Sequence, residues 1–508
     1  MRMLFSVLLY PHPCPSPANR GREVKPVSLP RNRGRRCGEP VEPDKGWGNR
    51  NGDWIFPDNE LDPLPLHNSR GYTLFLVMLI LSTSAILFSI SIANIRRVRV
   101  TAKKEVQKVQ AKLLAESGFV RTEYFLNGGD GHSIGWETNG YEEKVDTFGI
   151  IQLRVARFGL FSRVSSTGIR RTTAYSMAGL FGRTVPGILE PALTLTGHVG
   201  GLILHKGSSV EGKVVLHHGY VYARKKGRPL PDYTRRLILR ESGRLPFDSL
   251  ALKDIFEGYR AAKKTVAAET KNRVGSLLLD GTNDSLLARK PLVVDGDCRI
   301  TSKQCNGAEL IVSGTCTILP GAAVSNTSCL AGKVEVDGGT TDFSFFFSEK
   351  TIDLQQGYHN SQFLACDSIT VHDGVTTGTM SVFSVFRTGF MKDSLTLVTG
   401  GIYCDPGMHL RGTFISGADT GVSYSSMAPS INFGNGSTIN GTIVTDGDCY
   451  LYECAITGRL WARAIVARDT DGSYTNYLIS SSINLPVEET PFPLLGEPPV
   501  EIVFRRPQ

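Results

Sequence analysis

The sequence lacks the spacings on which most recognisable active sites are built. No two of its ten cysteines stand as CxxC, which argues against a thiolate zinc site. It has no HExxH, no phosphate-binding glycine loop and no nucleophile motif. We therefore expect no catalytic centre, no metal and no cofactor. His217-His218 is the one histidine pair; it has no cysteine or acid at ligand spacing and reads as part of a surface strand. A dispersed basic surface is also missing. The net charge of +8 is concentrated early, with 8 Lys/Arg against 3 Asp/Glu in residues 95–125 and 11 against 8 in the first 70. That distribution suits a membrane surface and argues against a nucleic-acid partner.

Charge is absent altogether from Tyr72 to Ile95, YTLFLVMLILSTSAILFSISIANI. About 20 helical residues cross a ~30 Å hydrocarbon core, so this run suffices for one span. Arg96, Arg97 and Arg99 follow at once and read as membrane-interface anchors whose side chains snorkel to lipid headgroups. Beyond them Val98, Ala102, Val106, Val109 and Leu113 form an apolar stripe with lysines around it, so the helix is expected to continue in water to Leu126. Asn127-Gly128-Gly129 then breaks it. Before the helix, residues 1–70 hold 11 of the 26 prolines and show no apolar periodicity. They read as a low-complexity leader, with the true start expected at a non-Met codon shortly before Arg70.

Arg70-Gly71-Tyr72-Thr73-Leu74, followed by this apolar run and amphipathic helix, resembles the N-terminus of type IV pilins and pseudopilins. The stretch Ala111-Lys-Leu-Leu-Ala-Glu-Ser-Gly118 is similar to the corresponding segment of PilX-like minor pilins. The resemblance covers about residues 70–180 and implies cleavage by a prepilin peptidase between Gly71 and Tyr72, with methylation of the new N-terminus. It further implies a bacterial inner-membrane location and partnership with other pilins or pseudopilins through Val98, Val106, Val109 and Leu113. One position departs: the family usually carries glutamate fifth in the mature chain, where this sequence has Leu76.

Past the helix, Gly149–Phe158 and Leu160–Val164 read as strands, Ser165–Gly168 as a turn and Arg170–Met177 as a returning strand. An antiparallel sheet over 127–182 is expected. Next, the pattern apolar-x-Gly-x-apolar recurs, as LTGHV at 195–199, VEGKV at 210–214, LAGKV at 330–334, VTGGI at 398–402, LRGTF at 410–414, INGTI at 439–443 and ITGRL at 456–460. Val294, Val312 and Leu330 keep a strict repeat, each followed by a glycine two residues on. Such a period suits stacked coils of a β-solenoid, and a β-sandwich with glycine-rich turns is the alternative. The predicted class is thus α+β, mostly β. Solenoid blocks are expected at 183–224 and 276–482, a surface helical insertion at 225–275, including a loop at Lys225–Arg228, and an extended or disordered Pro-rich tail at 483–508.

Cys14 and Cys37 lie in the leader and the other eight cysteines between Cys298 and Cys454. Two readings stay open: disulfides in an oxidising compartment, or free thiols buried in a solenoid core. Asp295-Gly-Asp297 and Asp446-Gly-Asp448 are paired carboxylates such as β-helix lyases use, but Asp-Gly at a coil corner is also ordinary turn chemistry. Asp469–Gly472 lacks the remaining acids of a calcium loop and reads as a hairpin turn.

The functional expectation is a single-pass structural or interaction subunit of a pilus or type II secretion-related filament. Its β-rich head would lie in the periplasm or outside the cell, binding a surface glycan or protein. The local charge pattern opposes that orientation: five basic residues follow the span within ten positions, while Asp53, Asp58, Glu60 and Asp62 precede it. This defines a rival, a membrane-anchored cytoplasmic solenoid scaffold resembling bactofilins. A surface glycan-binding or lyase solenoid is a third reading.

Overall fold

The computed structural model describes residues 69–126, 141–145, 148–183, 189–197, 201–217, 219–223, 249–282, 284–288, 291–387, 400–419, 429–469, 472–486, 492–493 and 500–507. Residues 1–68, with Cys14 and Cys37, the break at Asn127–Gly129, His218, the loop at 225–228 and residues 470–471 lie outside them. The chain divides into two compact units, Met1–Ile86 and Leu87–Gln508. Of the first, the described part is the start of helix α1 (Ser69–Leu126), which runs unbroken through the apolar stretch. It is long and apolar enough to cross a membrane.

In the second unit, four antiparallel strands follow: β1 (Tyr141–Val145), β2 (Gly149–Phe158), β3 (Phe161–Arg170) and β4 (Thr173–Arg183). The turn expected at 165–168 is not there. Strand β3 runs straight through it because Val164, Ser166 and Gly168 alternate toward the buried side. The chain reverses instead at Arg171, which takes φ 55° between the paired Arg170 and Thr173.

A parallel β-solenoid makes up most of the rest. One inward column shows its logic: Leu277, Cys298, Cys316, Val334, Ile352, Ile369, Ile402, Ile431, Cys449 and Ile465 are register neighbours from coil to coil. All are buried. Along most of these strands the neighbouring residues are more exposed, so the period-2 pattern of a strand and the coil period together build one core. The early coils keep a spacing of 18 residues, as between Asp297 and Thr315. Phe346, Phe363, Phe383 and Phe414 stack face to face through successive coils, with centroids 5.4, 5.6 and 5.0 Å apart.

The recurring glycines mark where coils approach each other. LRGTF, INGTI and ITGRL stack in register, with Gly412, Gly441 and Gly458 as neighbours. A Cβ on Gly441 would collide with the Gly412 carbonyl. The eight described cysteines are free thiols, all buried in the solenoid.

Three long-range features complete the unit. Strands Leu193–Leu195 and Ser209–Val210 pair with Leu460–Ala462 and Ser482–Ile483, so the first block stacks beyond the last coil of the main one. Helix α2 (Ser249–Glu269) packs one face on the solenoid: Leu252, Ile255 and Phe256 are buried against Phe347 and Phe386, while Asp254, Glu257 and Lys264 are exposed. The Pro-rich tail ends in the strand Val500–Pro507, which pairs antiparallel with β4 and gives the small sheet a fifth strand.

The sheet is locked to the solenoid at the β2–β3 turn. Gln362 accepts from the Leu160 N–H at 2.7 Å and donates to the Phe158 carbonyl at 2.9 Å. Tyr259 of α2 donates to the Gly159 carbonyl at 3.0 Å. Burial pushes the Tyr259 phenol well above its usual range, so it remains a donor.

Candidate functional site

The residues singled out in the sequence gather on α1. Gly71 and Tyr72 lie in its first turns, and Tyr72 is exposed. Arg96, Arg97 and Arg99 are exposed on the following turns.

From Gln107 onward α1 has two distinct faces. Ala111, Leu114, Ala115, Gly118, Phe119 and Thr122 fall three and four apart and form one stripe, which docks on the sheet. Small residues let the backbones come close. The Ser166 hydroxyl donates to the Ala115 carbonyl at 2.8 Å, and a Cβ on Gly168 would lie 2.6 Å from the Ala115 nitrogen. Phe119 stacks on Phe181 at 5.9 Å. Arg170 of β3 reaches Gln110 at 3.1 Å, beside this stripe.

Val98, Val106, Val109 and Leu113 lie on the other face. They are 68%, 57%, 56% and 56% exposed, and Val120 and Tyr124 prolong the stripe. The helix therefore buries one apolar face within its own unit, and Val98, Val106, Val109 and Leu113 on the second stay exposed among the described residues. Sequence reasoning found the exposed stripe and missed the docked one. The signal was present: Ala111, Ala115, Gly118 and Thr122 are spaced 4-3-4, the mark of close helix approach.

The paired carboxylates have structural partners. Asp295 forms two bonds with Arg273, whose guanidinium holds the carboxyl below its usual range. Asp297 accepts the Thr315 N–H at 2.8 Å, and Asp448 meets Arg463 through two bonds at 3.0 and 2.9 Å. Asp446 is buried, and burial pushes it up to about 7. Asp469 and Gly472 face each other across a hairpin. The backbone N–H of His217 donates to the Leu195 carbonyl at 3.0 Å. Among the described residues no group of three or more histidine, cysteine or acidic side chains is placed to hold a metal.

No protein-family model matches this sequence, and no curated protein matches it. Among solved structures, the competence-associated pilin ComZ from Thermus thermophilus is similar over 79% of this chain and 97% of its own, at 11% identity. The TM-score is 0.16, at which the two chains do not superpose as one arrangement.

Proposed function

We propose that this chain is a minor pilin or pseudopilin-like subunit of a type IV pilus or type II secretion-related filament. The observation that carries the reading is the two-faced α1. One stripe is buried on the chain's own antiparallel sheet, while the opposite stripe, Val98 to Leu113, remains apolar and exposed. Exposed apolar surface of that length, continuous with a span-length apolar helix, calls for helices of neighbouring subunits.

In this reading the first half of α1 holds the subunit in the bacterial inner membrane before assembly. A prepilin peptidase cuts between Gly71 and Tyr72, and the methylated Tyr72 becomes the mature N-terminus. The β-rich body faces the periplasm or the exterior.

One observation favours a second reading. Arg96, Arg97 and Arg99 immediately after the apolar run would suit a cytoplasmic body, which makes the chain a membrane-anchored solenoid scaffold. N-terminal sequencing of membrane-extracted protein, with and without prepilin peptidase, separates the two. A start at Tyr72 that disappears without the peptidase is expected. A chain left uncut in both strains overturns the pilin reading and leaves the scaffold.

A further inference from the structure

The outer face of the solenoid carries an open cleft of about 540 Å³ across the strands Gly401–Cys404, Ser430–Phe433, Asp448–Tyr450 and Ala464–Asp469. That volume falls within the roughly 300–1,000 Å³ of small-molecule sites. Five polar side chains line it: Asn432, Asn435, Tyr450, Tyr452 and Arg468. Asn432 and Tyr450 are register neighbours, so a short carboxamide lies one strand spacing, about 4.8 Å, from a tyrosine. The Arg468 guanidinium lies over the Tyr450 ring, 5.2 Å from its centroid, and its Nε donates to Ser473 Oγ at 3.4 Å. It is held on two sides, and the residue is exposed.

We propose that this cleft binds an acidic saccharide. Tyrosine faces offer flat apolar surface to the C–H face of a sugar ring. The two carboxamides each offer donors and an acceptor to neighbouring hydroxyls. The guanidinium fork matches one carboxylate. A nucleic-acid strand fits less well. It needs a row of cations along its phosphates, and Arg468 is the one cation among the described residues lining the cleft. The site stands independently of how α1 packs.

The test uses the full-length chain in detergent, titrated by calorimetry with tetragalacturonate, its methyl ester, neutral cellotetraose and a short oligothymidylate. Saturable binding of tetragalacturonate is expected, tighter than that of the ester. Tyr452→Ala should weaken it roughly tenfold. Arg468→Gln should erase the preference for the acid while leaving ester binding in place. Tyr358→Ala, at an exposed position on the other large sheet of the solenoid, should change nothing. The proposal is overturned if no saccharide binds, or if both cleft substitutions leave binding unchanged. It is likewise overturned if only the oligothymidylate binds and the cleft substitutions abolish that binding. Melting curves of each variant distinguish a lost site from a lost fold.

Discussion

Asp446 is an acid whose surroundings set its charge. Its carboxyl sits at a coil corner, buried, and is pushed up to about 7 because burial disfavours the charge more than the Ala418 N–H favours it. The folded value lies above the unfolded value of 3.8. The stability it contributes is therefore fully present below pH ~4 and is lost as pH rises through ~7, by at most about 4 kcal/mol. Asp446→Asn keeps an acceptor for the Ala418 N–H and removes the titration. The variant should match the parent chain at pH 4 and be the more stable of the two at pH 8. Urea unfolding of both proteins at several pH values checks this, and parallel pH profiles would refute it.

Helix α1 was largely legible in the sequence, for a physical reason. A span-length run without charge has few alternatives, and a stripe recurring at three and four residues can only be one side of a helix. The docked stripe was harder to see because Ala111, Ala115 and Gly118 carry little hydrophobic signal. Their role is to be small where Ser166 and Gly168 approach. The two faces predict opposite phenotypes. A Cβ on Gly118 would already lie 2.8 Å from Leu153 Cδ2, so Gly118→Leu should lift the helix off the sheet. Amide exchange over residues 111–122 should then speed up. Val106→Asp with Leu113→Asp should leave that exchange unchanged, because both side chains face outward, and should abolish co-purification with partner pilins. Intact co-purification of the double variant would sink the packing role of this stripe. Helix α2 is the converse case. Its place in the chain suggested a surface insertion; the buried face that Leu252, Ile255 and Phe256 give it becomes visible only once Phe347 and Phe386 are brought beside it.

At the scale of the molecule, the glycine motifs announced coils but not their order. A period records how each coil meets the next and is silent on which coil ends the stack. Here the earliest block closes the latest end: Leu193 pairs with Leu460, and Val210 with Ile483. Pairings across that much chain leave no local trace, and neither does the return of Val500–Pro507 to the edge of β4. The closure has a cost and a benefit. It demands that distant segments meet before the stack is complete, which slows folding. It also covers the strands Ala455–Ala462 and Ser482–Asn484, whose open backbone would otherwise template association with other chains. Leu193→Asp with Val210→Asp places two unpaired carboxylates in buried positions of this end block and should detach it. The variant should melt earlier and associate in a concentration-dependent way by sedimentation. Leu278→Asp, at a half-exposed position in the first coil, should do neither. If the double variant stays monodisperse with an unchanged melting temperature, the end block is dispensable and the last coil protects its own edge.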